Sequence, residues 1–470
     1  MIKFNEKGRG LLSWRRQLIK KQVSSLEICS TYLKKIEQKN GPLNVYLTIN
    51  QQLLKEAKKA DQAISKNPDA FKNQPLLGLP IAVKDNFCTL GLATRASSAV
   101  LKDYQPPYES TVTQKLKNAG ALILGKTNMD AWAHGSSTET SDFGPTRNPH
   151  DTSRTPGGSS GGSTAAVAAD MAPAAIGSET AGSIRQPAAW CGVIGLKPTY
   201  GRVSRWGIIA MASSLDCPGP LTKTVADAAL IYNLLAGPDD QDATTIKSPA
   251  PKLPLKKTLP EKKLTIGLPK EYFSLTEKET SQKVMAIANQ LKKSGHQIKE
   301  ISLLDPKISI AVYTILQRAE VSSNLARYDG IRYGQNRTFF GLEALRRIML
   351  GTFVLSAGYF DQYYLKAQKA RTKIINDFAS TFAKVDLILA PTTPTTALEV
   401  GAWKKSAMFG EMQDILVEGS ALAGLPAVNL PYGLDQRGLP IGLQVIGPQR
   451  QEDQIIRLAY QIETLIHEED

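Results

Sequence analysis

Two serine-rich segments and one lysine hold the residues of this 470-residue chain that are best suited to chemistry. The first segment, TPGGSSGGST at residues 155–164, packs four glycines and three serines into ten positions. Glycines this close to serines bring backbone tightly against a reacting group. The second, GSETAGS at 177–183, sets Ser183 behind the small residues Thr180, Ala181 and Gly182. Their N–H groups can converge on one point, as an oxyanion hole requires. The lysine is Lys84, at the end of the apolar run LLGLPIAVK. A partly buried lysine there has a lowered pKa and serves as a neutral general base, whereas an exposed one only snorkels to solvent.

Three other motifs compete for attention. GALILGKT at 120–127 fits the phosphate-loop pattern GxxxxGK[ST], but its variable positions are strand-like and a helical pattern precedes the first glycine. That is the reverse of the strand, loop and helix order a phosphate cradle needs. Residues 158–162 match GxSxG with Ser160 as nucleophile. Such an elbow follows a strand and needs a later acid and histidine, yet the polar DTSRTP precedes it. Of four histidines, His150 lies in an NPHD turn, His296 in a polar connection and His467 near the end, which leaves His134 as the one candidate base. A slack linker is also a poor reading, because an alanine-rich helical segment follows directly.

These residues need a scaffold, and the hydrophobic spacing describes one. Ser24 and Glu27 form a capping box, after which Leu26, Cys29, Leu33 and Ile36 recur at helical spacing. Residues 51–66 read as a second amphipathic helix. LLGLPIAVKDNF is an apolar strand ending on Lys84, STVTQKLKNAG a helix closed by Gly120, and ALILGKT a short buried strand. Residues 163–170 predict a helix of small side chains. Farther on, the strands LTIGLP, VDLILAPTTP and PIGLQVIG alternate with helices at SQKVMAIANQLKKSG, 311–328, 361–382 and EDQIIRLAYQIETLIHEE. That alternation predicts a layered α/β protein. The Pro- and Lys-rich stretch 237–263 predicts a surface loop that does not separate two cores. One large domain over 1–470, with an N-terminal helical segment over about residues 1–70, is the expectation.

Composition narrows the function classes. An apolar share of 42% with 21% charged residues is that of a soluble globular protein. No stretch approaches the roughly 18 apolar residues of a membrane span. The basic start MIKFNEKGRGLLSWRRQLIKK lacks a secretory signal's apolar core and cleavage site, so a cytoplasmic location is expected. The four cysteines lie far apart, with no CxxC pair and no histidine at ligand spacing, which argues against a disulfide framework or a metal site. The net charge of +14 is spread along the chain without a nucleic-acid motif, favouring a solvated basic surface over a direct nucleic-acid site.

Taken together, GLPIAVKDNF, TPGGSSGGSTAAVAA and GSETAGSIRQPAAWCGVIGLKPTYGRVSR resemble the amidase signature family. The likeness extends over nearly the whole chain. GKTNMDAWAHGSSTETSDFGPTRNP, LTIGLPKEYF, AEVSSNLARYDGIRYG, GYFDQYYLKAQKART and DLILAPTTPTTA are similar to the glutaminase (A) subunits of Glu-tRNA(Gln)/Asp-tRNA(Asn) amidotransferases within that family. The resemblance implies an α/β amidase signature fold, a large mixed β-sheet covered by helices on both faces. It implies a Ser–cis-Ser–Lys triad with Ser183 as nucleophile, Ser159 as the bridging serine preceded by a cis peptide bond, and Lys84 as general base. Glycines 157, 158, 161 and 162 would supply backbone freedom around the serines. The N–H groups of Thr180, Ala181, Gly182 and Ser183 would hold the oxyanion.

The resemblance further puts Arg371 on the carboxylate of glutamine, where a planar fork suits two oxygens, Asp414 on its ammonium and Tyr333 in the pocket lining. One departure is visible: the family's Asp-Thr-Gly-Gly-Ser is here Glu179-Thr180-Ala181-Gly182-Ser183. An alanine at 181 would be strained by roughly 1 kcal/mol or more if that position needs positive φ. The implied activity is hydrolysis of glutamine to glutamate and ammonia. The ammonia would go to a partner B subunit that amidates Glu-tRNA(Gln) or Asp-tRNA(Asn), in a heterotrimer with a C subunit and with charged tRNA bound through the complex. No membrane is involved. No cofactor or metal is expected in this chain, with ATP and Mg²⁺ belonging to the partner subunit. Two rival readings are a stand-alone amidase acting on another amide and a non-catalytic scaffold subunit of a tRNA-binding complex.

Overall fold

The computed structural model describes residues 10–67, 69–332, 334–405 and 408–469. Eleven strands form one mixed sheet: β1 (Tyr46–Ile49), β2 (Pro80–Lys84), β3 (Leu122–Thr127), β4 (Ala174–Glu179), β5 (Ile194–Lys197), β6 (Cys217–Thr222), β7 (Thr265–Pro269), β8 (Gln297–Ile301), β9 (Leu387–Pro391), β10 (Ala427–Leu434) and β11 (Pro440–Ile446). Their order is β1-β3-β2-β4-β6-β5-β10-β11-β9-β7-β8. Strands β3, β2 and β4 run parallel, as do β9, β7 and β8, and the centre of the sheet is antiparallel. The α/β expectation is met. Most strand positions are buried, as the near-continuous Ile, Leu, Val and Ala runs of a sheet covered on both faces demand.

The helices form where the spacing places them. Ser24 caps Ser25–Leu43 with the reciprocal Glu27 contact. Leu53, Ala57, Ala60 and Ile64 are the buried stripe of Leu53–Lys66. Gly120, at φ +86°, follows the last turn of Thr111–Asn118 and turns the chain into β3. Helix Pro306–Leu325 starts five residues before the predicted 311–328 segment and ends three residues short of its far bound, and a π-helical turn at Phe360–Leu365 leads into Lys366–Phe382. No helix or strand falls between residues 236 and 264, in accord with the predicted loop, though Leu253 within it is buried.

One rejected motif is resolved in structural terms. The phosphate-loop lookalike is strand β3: Lys126 is buried and donates to the Phe87 carbonyl at 2.6 Å and to Thr94 Oγ1 at 2.8 Å. The four cysteines are free and buried. Among the described residues no helix is long and apolar enough to cross a membrane, and no three His, Cys, Asp or Glu side chains group as a metal site would require.

The fold places the site through the parallel pair β2 and β4. Ala82 and Val83 pair with Ala175 and Ile176, so both strands end at the same edge of the sheet. In α/β sheets that carboxyl edge is where ligands bind. Lys84 ends β2, and the GSETAGS segment leaves β4 beside it. Helix Gly161–Ala168, small-sided and buried, packs on β4 through Ser163 Oγ, which donates to the Ile176 carbonyl at 3.0 Å. That contact carries Ser159 and Ser160 over the same edge.

Candidate active site

Lys84 is fully buried, and its Nζ lies 2.8 Å from Ser159 Oγ and 2.9 Å from Ser160 Oγ. The carbonyl and hydroxyl oxygens of Ser178 are each 3.1 Å away. Asn86 donates to the Ser178 hydroxyl at 3.0 Å. Burial lowers the Lys84 ammonium to about 7, against the opposing pull of Asp130, Asp216 and Glu179. A lysine so placed exchanges a proton near neutral pH, so the snorkelling alternative is set aside.

The Gly158–Ser159 peptide is cis, as the resemblance implies. The glycines around it differ from expectation in how they act. Gly157 alone adopts positive φ, at +84°. Gly158, Gly161 and Gly162 are required by close packing instead. A β-carbon on Gly158 would come within 2.1 Å of Asp130 Oδ2, and one on Gly162 within 2.3 Å of the Asn128 carbonyl. The role is proximity more than freedom.

Ser183 follows β4 and precedes helix Arg185–Cys191. Its carbonyl accepts from the Ser160 N–H at 3.2 Å, which ties the two serine segments together. Among the described residues its hydroxyl makes no hydrogen bond. No hydrogen bond therefore links Ser159 Oγ to Ser183 Oγ among the described residues, and Ser183 itself is joined to the first serine segment through that backbone contact alone. The N–H groups of Thr180, Ala181, Gly182 and Ser183 likewise donate to no acceptor among the described residues. The next two, Ile184 and Arg185, donate to Glu179 Oε2 at 3.1 and 3.0 Å. A run of free N–H groups beside a serine is what an oxyanion hole needs.

Glu179 anchors that loop. Its Oε1 accepts from Arg185 Nε at 2.9 Å and Nη2 at 2.6 Å, and both side chains are fully buried. Arg185 also donates to Ser420 Oγ, Gln444 Oε1 and the carbonyls of Ala181 and Val417. Thr180 Oγ1 donates to Asp216 Oδ1 at 2.7 Å, and burial raises Asp216 to about 6. Ala181 is not among the residues with positive φ, so the strain that an alanine there would carry does not arise.

Ser183 and Asp414 line one narrow cleft, together with Tyr313, Arg347, Glu411 and Glu418. Asp414 Oδ2 accepts from Ser136 Oγ at 2.8 Å, and burial pushes its carboxyl well above the usual range. A second, wider cleft at the mouth shares Gly135, Ser136, Arg347, Gly410 and Glu411 with the first and adds His134. Burial keeps His134 neutral, and among the described residues its ring nitrogens contact no partner, Ser160 included. The histidine-based elbow is excluded on geometry: Ser160 Oγ instead donates to the Ser178 carbonyl at 3.1 Å.

Arg371 is placed differently from the expected carboxylate anchor. It does not line the cleft with Ser183. Its Nε donates to the Leu422 carbonyl at 2.9 Å, and its Nη nitrogens donate to Ser214 Oγ and the Ser214 carbonyl at 3.0 and 3.2 Å. Tyr333 lies outside the described residues. Several residues of the site went unnoticed in the sequence. Ser178 and Glu179 sit inside the GSETAGS motif and were within reach of it, whereas Asn86, Ser136, Tyr313, Arg347 and Glu418 carry no local signal.

The amidase family model matches residues 27–456. The chain is 46% identical over 471 residues to the A subunit of glutamyl-tRNA(Gln) amidotransferase from Prochlorococcus marinus, covering 96% of each. It is 45% identical to the protein of the same name from Halothermothrix orenii, covering 96% of this chain and 95% of that one. The crystal structure of the Thermotoga maritima protein of that name superimposes with a TM-score of 0.80 at 38% identity, covering 96% of this chain and 95% of the other. Peptide amidase from Stenotrophomonas maltophilia superimposes at 0.83 with 29% identity, over 99% and 98% of the two chains. With the match taking in β2, both serine segments and the cleft they border, this chain belongs to the amidase signature family.

Proposed function

We propose that the chain is the glutamine-hydrolysing subunit of a tRNA-dependent amidotransferase, working with B and C subunits in the cytoplasm. The observation that carries the reading is the buried Lys84–Ser159 contact set at the edge of a cleft shared by Ser183 and Asp414. The relatives named above, alike over nearly their whole length, support it.

In this reading Ser183 Oγ attacks the side-chain amide carbon of glutamine. Its proton passes to Ser159 Oγ as the Ser159 proton passes to neutral Lys84. The carbonyl oxygen takes up negative charge against the N–H groups of residues 180–183. A donor of this kind is worth about 2.7–4 kcal/mol in other enzymes. As the tetrahedral adduct collapses, Lys84 returns the proton through Ser159 to the departing nitrogen, and ammonia leaves. A water molecule then attacks the γ-glutamyl ester by the same proton route in reverse, which yields glutamate and restores Ser183. Asp414 holds the ammonium of the amino acid. ATP with Mg²⁺ serves the partner subunit that activates Glu-tRNA(Gln) or Asp-tRNA(Asn).

The test is ammonia release from glutamine against simple aliphatic amides, with and without the B and C subunits and charged tRNA. Glutamine preference that strengthens in the complex is the expected result. Equal rates on aliphatic amides, unchanged by the partners, would mark a stand-alone amidase instead.

A further inference from the structure

The N–H groups of residues 180–183 lie just past the end of a β-ladder. Strands β4 and β6 pair antiparallel as far as Glu179 with Cys217. Beyond that rung one chain runs into the oxyanion loop, and the other arrives from a turn over residues 211–216. Thr180 and Asp216 are the next facing pair, and both are buried. Their side chains meet where the backbone pairing stops, with Thr180 Oγ1 donating to Asp216 Oδ1 at 2.7 Å. Glu179 fixes the far end of the loop through the Ile184 and Arg185 N–H groups, so this bond serves the near end.

Asp216 also closes the turn behind it. Its Oδ2 accepts from the Met211 N–H at 2.9 Å and its Oδ1 from the Ala212 N–H at 3.2 Å. Met211 in turn lines the cleft with Ser183. Four further side chains hold the same turn. Asn324 donates to the Met211 carbonyl at 3.0 Å, and the Tyr200 hydroxyl to the Ser213 carbonyl at 2.7 Å. Glu320 accepts the Ser214 N–H at 2.9 Å, and Arg371 donates to the Ser214 hydroxyl and carbonyl. Hydrogen bonds to ionised groups are roughly twice as strong as neutral ones. Helices Pro306–Leu325 and Lys366–Phe382 thereby grip the turn, and Asp216 carries that hold to Thr180.

We infer that Asp216 is a positioning residue for amide hydrolysis, acting through Thr180 to hold the oxyanion donors of residues 180–183 in line with Ser183. The inference rests on the reading of Ser183 as the nucleophile. Asp216 touches no reacting atom. Its effect falls where negative charge develops in the transition state, and not on the grip on the substrate. Arg371, through Ser214, stands at the outer end of the same brace.

The bond is tested from both ends in the assembled enzyme, on whichever amide the parent hydrolyses. Thr180→Val keeps the branched shape and removes the donor; it lowers kcat about tenfold and leaves KM within about twofold. Thr180→Ser restores the hydroxyl and most of kcat. Asp216→Asn lowers kcat by about 10- to 100-fold. Adding Thr180→Val to it costs less than about twofold more, because the two residues act through one bond. A kcat for Thr180→Val within about twofold of the parent overturns the inference. So does a loss carried by KM, a failure of Thr180→Ser to recover, or losses that multiply in the double variant. If Asp216→Asn does not fold, the Thr180→Val and Thr180→Ser pair decides by itself. With Ser183→Ala inactive in the same assay, these outcomes bear on Asp216 alone. An active Ser183→Ala rejects the nucleophile and this inference with it.

Discussion

Lys84 Nζ stands 2.8 Å from Ser159 Oγ, and the two groups meet at the end of β2 with no water-exposed atom of the lysine between them and the sheet. Ser160 Oγ lies almost as close, at 2.9 Å. The difference is in where each hydroxyl is committed. Ser160 gives its proton to the Ser178 carbonyl, while Ser159 has Lys84 as its sole hydrogen-bond partner among the described residues and stays free to take a proton from the nucleophile. Ser159→Ala therefore lowers the single-turnover rate of glutamine hydrolysis by about 10²–10⁴-fold. Ser160→Ala lowers it by about tenfold at most, as a positioning contact. Equal losses would move the relay to Ser160.

The state of Lys84 sets the pH profile. A lysine depressed to about 7 by burial is the neutral base only above that pH. The sign follows directly: kcat/KM for glutamine rises with pH, reaches half its plateau near 7, and falls as Lys84 protonates below it. Lys84→Arg, charged at every accessible pH, abolishes both the rising limb and most of the rate. A steady-state ammonia assay across the neutral range checks this, and a profile with no inflection near neutrality would count against Lys84 as the base.

Much of this was legible in the residues themselves. Lys84, Ser159 and Ser183 lie in long segments of small and apolar residues whose type is dictated by backbone packing, so their neighbours betray them. Strand β2 and the helices at Ser25–Leu43 and Leu53–Lys66 follow from periodicity, which a buried face imposes directly on the sequence. Arg347, Glu418 and Tyr313 were not legible. They sit on three separate helices far apart in the chain, and each looks locally like an ordinary helix residue. Arg371 shows the opposite difficulty. Its surroundings match the family pattern, yet the direction of its donors, toward Ser214 and Leu422, is set by tertiary contacts that no local spacing encodes.

Gly182 is held to glycine by space. A β-carbon there would come within 2.2 Å of Asp414 Oδ1 and 2.5 Å of Val417 Cγ2, and both belong to the wall that faces Ser183. Gly182→Ala must push Asp414 off its Ser136 contact or shift the N–H groups of residues 180–183. Either movement lowers kcat/KM for glutamine by about 10²–10³-fold, the range seen when an oxyanion donor is lost. Replacement of Gly177, inside β4, provides no such control because it too is tightly packed, so the comparison is with Gly41, away from the cleft, where a β-carbon meets nothing within 4 Å. Gly41→Ala keeps most of the activity. If the two variants lose rate equally, the Asp414 contact is not what constrains position 182.

The Glu179–Arg185 pair decides whether the oxyanion loop holds its shape. Glu179 is buried and meets four donors, two from the guanidinium and two from the backbone of Ile184 and Arg185. Arg185 in turn joins the loop to Ser420, Gln444 and the Val417 carbonyl, on the far side of the cleft. Glu179→Gln leaves the guanidinium buried without its counter-charge and turns an N–H₂ toward groups that also donate. Removing one partner of such a pair costs about 3–5 kcal/mol, and the loss is read as a lower urea midpoint with an unchanged slope. Because the same carboxylate orders the backbone that carries residues 180–183, the variant also loses kcat well below its unfolding midpoint. A stability loss under about 1 kcal/mol would mean that the loop is held by its packing against β4 and β6 and that the ion pair is incidental.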